Sequence, residues 1–241
     1  MIFNQKKNEK KPIYLQLREI IRNKIEDGEY LPGTAIPSEN KLASTFDVNR
    51  ITARNAVSAL VNEGLLRRVQ GKGVFVVGHK NVVPIEELGG FTNDYKNNSS
   101  SAKEIKKIVR KAGNKYSTIF NIDVDDDIYY INHIQYVGDY PCAVQEFFIT
   151  KNILPSLDTI STSVFSIKDI LSFYGVGLHK MKQKLRIIKP QDKLRKILKV
   201  SSGVAIMMLE CDYYITEDKI IAHSISYIRS DIQSFTVKLH K

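Results

Sequence analysis

A chain of 241 residues, 43% of them hydrophobic, is long enough for two domains and apolar enough to give each a core. Its formal charge of +10 favours a polyanionic partner, and no run approaches the ~18 apolar residues of a membrane span. The opening MIFNQKKNEKKP has charges with no apolar core behind them, which argues against a secretory signal, and the distant Cys142 and Cys211 read as reduced thiols of a cytoplasmic protein.

In chain order, PIYLQLREIIRNKIEDG predicts the first helix. Pro12 stands at its first turn, Ile13, Leu17, Ile20, Ile21 and Ile25 recur at helical spacing, and Gly28 ends it. Pro32 and Gly33 make a turn. Ser38 is a suitable N-cap for ENKLASTF, whose Leu42, Ala43 and Phe46 face inward. Asn49 can cap a third helix that stops at Gly64, a natural residue just past a helix end. LLRRV and VFVV, with QGKG between them, then predict a hairpin. Three helices followed by a hairpin is the order of a winged helix-turn-helix. The first 78 residues hold 13 Lys/Arg against 8 Asp/Glu and the longer remainder 23 against 18, so the positive charge is densest at this end.

At 100° per residue, Ala53, Ala56, Val57 and Leu60 of the third helix share one side, and Arg50, Ile51, Arg54, Asn55 and Ser58 lie roughly opposite. Two exposed arginines by themselves are ordinary solvation. With a wing behind them they become a reading head, because the start of the second helix of such a motif enters the major groove. There an arginine fork can grip guanine O6 and N7.

Residues 79–90 read as a linker with a short helical piece, and FTNDYKNNSSS as a polar loop. SAKEIKKIVRKAG fits either a helix or a strand. DIYYINHIQYV and YPCAVQEFFI around Gly138-Asp139 form one predicted hairpin, VAIMMLECDYYI and IIAHSISYI around TEDK another. SIKDILSFYG and PQDKLRKILKV read as helices, the second started by Pro190. Each hairpin is adjoined by a helix, the pattern of a structural repeat, though the residues themselves do not repeat. In HKMKQKLRII a strand would put Lys180, Lys182, Lys184 and Arg186 on one face. A solvated face is the ordinary reading; a face bounding a pocket would favour an anionic ligand. None of the five histidines are at metal-ligand spacing, and no nucleophile–base pair or phosphate loop stands out, so neither a metal nor a catalytic residue is expected.

Residues 11–77 carry, almost end to end, the P-x-Y helix start, the G-x-L-x-P-G turn, PSE, V-x-R-x-T-x-R, EGL and the G-x-G wing. This resembles the DNA-binding domain of GntR-type transcription regulators. GGFT, the two hairpins and the closing SFTVKL resemble, more loosely, the HutC branch with its UTRA effector domain of chorismate-lyase-like fold. The expected fold class is therefore α+β: a winged helix-turn-helix at 1–78, a linker at 79–90, and at 91–241 an antiparallel sheet with flanking helices that binds an effector and dimerises.

The resemblance implies a cytoplasmic homodimer that binds a palindromic operator in double-stranded DNA, a repressor controlled by a small metabolite. By the same resemblance, Arg50 and Arg54 read bases and phosphates, flanked by Asn49 and Thr52. Ser38, Glu39 and Asn40 stand where the second helix can meet a phosphate, and Gln70, Gly71, Lys72 and Gly73 form a wing tip for the minor groove. Asn40 departs from the family's frequent arginine, and Ile51 from a common hydroxyl residue. The implied effector site comprises Phe91, Thr92, His133, Gln135, Gln145, Ser166, Lys168, Ala222 and Ile228. Phe91, Thr92 and Ser166 match the pattern of sugar-phosphate sensors. His133, Gln135, Gln145, Ala222 and Ile228 replace its Arg-x-Arg, two glutamates and a tyrosine. Without the two arginines most of the charge-assisted bonding to a phosphate is lost, so the pocket's place transfers and the phosphosugar does not. Two other classes stay open: an architectural DNA-binding dimer with an occluded pocket, and a lyase-like enzyme.

Overall fold

The computed structural model describes residues 12–77 and 100–232. They belong to two compact units, Met1–Asn81 with Thr159–Tyr174, and Val82–Asp158 with Gly175–Lys241. The linker at 79–90 and the residues Phe91 and Thr92 lie outside the described residues.

In the first unit, helices α1 (Ile13–Glu26), α2 (Glu39–Phe46) and α3 (Arg50–Asn62) precede a hairpin of β1 (Leu66–Val69) and β2 (Gly73–Val76). The apolar stripe of each helix meets at one centre: Leu17, Ile21, Leu42, Ala53, Ala56, Val57 and Leu60 form a buried cluster with Leu66 and Val76 of the hairpin. Ser38 accepts from the Lys41 N–H and Asn49 from the Thr52 N–H, each satisfying a helix-end donor worth about 1 kcal/mol. Past α3, Gly64 takes φ +77°, a conformation that costs a side chain and suits glycine. Thr159–Tyr174, far away in sequence, packs into this same unit and carries the short helix α5 (Ile167–Phe173).

The second unit is a six-stranded antiparallel sheet in the order β3-β4-β5-β8-β7-β6. Its elements are β3 (Ser100–Lys111), α4 (Gly113–Phe120), β4 (Asp127–Val137), β5 (Tyr140–Thr150), β6 (Lys180–Ile188), α6 (Asp192–Leu198), β7 (Ile206–Tyr214) and β8 (Ile220–Arg229). SAKEIKKIVRKAG is thus a strand; pairing with β4 along its whole length outweighs its helical spacing. The expected polar loop correspondingly ends where Ser100 joins β3. The helix α4 is not apparent in the sequence, because eight residues hold little more than two turns of periodicity. The helix near Pro190 begins only at Asp192, after the Gln191 N-cap.

The two hairpins belong to two copies of one unit, strand–helix–strand–strand: β3-α4-β4-β5 and β6-α6-β7-β8. The sheet order relates the copies by a pseudo-two-fold axis between the antiparallel strands β5 and β8, and both helices end on a left-handed residue, Asn121 and Lys199. Both pack on the same sheet face. Tyr116 and Phe120 of α4 cluster with Ile128 and Phe148, and Leu194, Ile197 and Leu198 of α6 with Val144 and Ile206.

Candidate nucleic-acid interface and effector face

On α3 the split into faces is complete. Ala53, Ala56, Val57 and Leu60 are fully buried, while Arg50, Ile51, Arg54 and Asn55 are exposed. Arg50 and Arg54 take part in no hydrogen bond or ion pair among the described residues, so their forks are free toward solvent. The neighbouring polar residues are partly committed. Asn49 Oδ1 holds the Thr52 N–H at 2.7 Å, and Ser38 Oγ the Lys41 N–H at 3.3 Å. Asn40 is exposed on the first turn of α2.

Glu39 accepts from Arg68 Nη2 at 2.8 Å, and the same nitrogen reaches Ser58 Oγ at 3.5 Å. Arg68 therefore ties β1 to the start of α2 and to α3. The interface expected from the sequence did not include it.

Gln70, Gly71, Lys72 and Gly73 form the exposed turn between β1 and β2. Residues 159–174 cover the hairpin's other face. Phe165 meets Phe75 edge-on at 6.2 Å and lies under the Arg67 guanidinium at 5.8 Å. Lys72 Nζ donates to the Ser163 carbonyl at 3.3 Å, Ser161 N–H to the Gly33 carbonyl at 3.0 Å, and Tyr174 Oη to the Pro32 carbonyl at 3.3 Å. Partial desolvation pushes the Lys72 ammonium below the usual lysine range.

In the six-stranded sheet, cross-strand pairing puts His133, Gln145 and Ser226 in one row and Gln135, Ala143 and Ile228 in the next, all on the face opposite α4 and α6. A chain of hydrogen bonds joins the rows: Gln135 Nε2 donates to Gln145 Oε1 at 2.8 Å, and Gln145 Nε2 to Ser226 Oγ at 3.1 Å. At the β3 side, Glu104 is paired with His133 in register, its carboxylate 3.9 Å from Nε2 and 3.6 Å from Lys107 Nζ. His133 and Ser226 are 4% and 6% exposed and Gln135 and Gln145 are half-buried, so the line is largely withdrawn from solvent. Buried polar groups must be bonded, and the amide side chains do this without any charge.

Ala222 shares the face but stands four residues along β8 from Ser226, opposite Ile149 and Tyr213, about 13 Å away at strand rise. Ser166 and Lys168 belong to the other compact unit, where Ser166 caps α5 in a reciprocal pair with Asp169. Ser226 went unseen, although Ser224 and Ser226 alternate with Ile225 and Tyr227 in β8, which marks a polar stripe on one face. Lys180, Lys182, Lys184 and Arg186 do share a face, but it is the helix-bearing one, with Lys182 opposite Asp212 and Lys184 opposite Glu210. Lys182, Lys184 and Arg186 are exposed, so this run is a solvated, cross-paired edge and does not bound the polar row.

Residues 13–76 match the model of the bacterial regulatory proteins of the gntR family, and residues 97–233 match that of the UTRA domain. The chain belongs to the GntR family of transcription regulators with a UTRA domain. This regulator is 28% identical over 227 residues to the transcriptional repressor NagR of Bacillus subtilis, covering 93% of both chains. It is 24% identical to the mannosyl-D-glycerate system repressor MngR of Escherichia coli, covering 94% of this chain and 95% of that one. Among solved structures, PhnF from Mycobacterium smegmatis shares the fold with a TM-score of 0.58 at 17% identity, over 95% of this chain and 99% of that one. The possible regulator YydK of Bacillus subtilis has a TM-score of 0.53 at 21% identity, over 95% and 100%.

Membership decides between the classes left open by the residues: the chain is a DNA-binding transcription regulator and not an enzyme. UTRA regulators answer to small-molecule effectors. No described helix of the regulator is long and apolar enough to cross a membrane, and no cluster of metal-binding side chains occurs among its described residues.

Proposed function

We propose that the chain is a cytoplasmic repressor that binds a palindromic operator as a homodimer and releases it when a small metabolite occupies the UTRA domain. The observation that carries the DNA half is the pair of free arginine forks one turn apart at the start of α3, on a helix whose other side is fully buried. Arg50 and Arg54 contact base edges and phosphates. Thr52, Asn49, Ser38, Glu39 and Asn40 support them, and Gln70, Gly71, Lys72 and Gly73 approach the minor groove. Two heads in one dimer demand half-sites at fixed spacing, so a modest reorientation of one head weakens binding.

For the effector, the polar row of His133, Gln135, Gln145 and Ser226 supports a ligand recognised by amide and hydroxyl groups, with Ile228 and Ala222 as apolar wall. The family resemblance adds Phe91 and Thr92 to this site. An anionic sugar phosphate lacks its usual guanidinium partners there.

The decisive experiment enriches duplexes from a random-sequence library with the full-length chain. Symmetric half-sites are expected, with Arg50→Ala losing about 1–3 kcal/mol of discrimination at one base pair of each. An Arg50→Ala variant that competes against scrambled DNA as well as the natural chain would refute the assignment. Thermal shift against a metabolite library then identifies the effector, which must stabilise the fold by mass action.

A further inference from the structure

Ile51 has no packing role that explains it. With 71% of its surface open, it is the most exposed large hydrophobic residue described in the first unit, ahead of Ile13 at 54% and Leu31 at 37%. It is absent from the apolar cluster that takes in the other face of the same helix. Its place is the first turn of α3, next to Arg50 and one turn before Arg54, so a branched apolar side chain lies beside two free guanidinium forks. A surface that closes on this side chain would take its apolar area out of water.

In the major groove the one apolar group on any base edge is the thymine C5-methyl. Arginine reads guanine, and isoleucine cannot hydrogen-bond to anything. We infer that Ile51 is a specificity residue of this regulator, packing its side chain on the methyl group of one thymine in each operator half-site. The inference rests on α3 entering the major groove. A hydroxyl residue at this position could donate or accept at several base or phosphate atoms, whereas isoleucine restricts the position to thymine.

The test uses the duplex enriched by the full-length chain, with each thymine of a half-site replaced in turn by deoxyuridine, which removes only the methyl group. At one position the natural chain should lose about fourfold in affinity per half-site, the factor that burial of a single methyl gives. The Ile51→Ser variant should bind thymine and deoxyuridine duplexes equally at that position. Because Ile51 is exposed, the variant should keep the melting temperature of the natural chain, and that measurement accompanies the binding series. If no replacement matters, or the penalty persists in Ile51→Ser, the inference is overturned while the regulator still reads DNA. Equal weakening of Ile51→Ser on both duplexes also overturns it, assigning the side chain to the sugar-phosphate backbone. If no duplex is enriched at all, major-groove reading by α3 fails and the inference falls with it.

Discussion

Gly33→Ala probes how residues 159–174 are held in the first unit. Gly33 has φ +81°, and an added Cβ would come within 2.5 Å of Ile160 Cγ2. The left-handed backbone costs an alanine about 1–2 kcal/mol. The clash adds about 1–3 kcal/mol, because the methyl it meets is bonded to a branched Cβ that rotates poorly in a packed site. Together they amount to about 2–5 kcal/mol, a large share of the ~5–15 kcal/mol that holds a domain. Ile160 is 1% exposed, and Ile160→Ala alone should cost about 2–5 kcal/mol through the cavity it leaves. In the double variant the clashing methyl is gone and only the backbone strain remains. Its loss should then fall short of the sum of the singles by about 1–3 kcal/mol. Urea denaturation of the full chain, followed by circular dichroism, measures all four proteins. A double variant additive within about 0.5 kcal/mol would mean that Ile160 is not seated against Gly33.

Lys72→Ala should weaken binding to all duplexes alike and lower the slope of log affinity against log salt by about 1, as loss of one phosphate contact requires; an unchanged slope would remove Lys72 from the interface. Gln145→Leu takes away both the acceptor for Gln135 and the donor to Ser226, so denaturation should show a loss of about 1–3 kcal/mol for the polar groups left unsatisfied. Glu217, bonded by Lys180 and His179, should titrate at about 2 in a carbon-detected NMR experiment, below its ordinary 4.5. A depressed carboxyl stabilises the fold above its ordinary pKa and loses that contribution as pH falls through the lowered one, and Lys180→Met should move the midpoint back up.

The DNA-binding end was legible residue by residue because its determinants are local. A cap, a glycine past a helix end and a period of 3.6 each act within a few residues, so Ser38, Asn49, Gly64 and the buried face of α3 follow from the local sequence. Both UTRA hairpins were legible for the same reason, since a turn and its two strands are contiguous. Arg68 escaped because its partner Glu39 lies 29 residues away, and a charge pair between elements leaves no periodic trace.

The sequence by itself determined two domains, a winged helix-turn-helix, the two hairpins and the exposed arginines, all through interactions between neighbours in the chain. Only the tertiary structure decided the rest. Whether SAKEIKKIVRKAG is a helix or a strand depended on β4 being there to pair with it. Whether Lys180, Lys182, Lys184 and Arg186 line the polar row or the opposite face depended on the register of four successive strand pairings, where one residue of slip would exchange the faces. Likewise, Thr159–Tyr174 joins the unit of the winged helix through Phe165, Ile160 and Lys72, contacts between residues some ninety or more positions apart that no local pattern encodes.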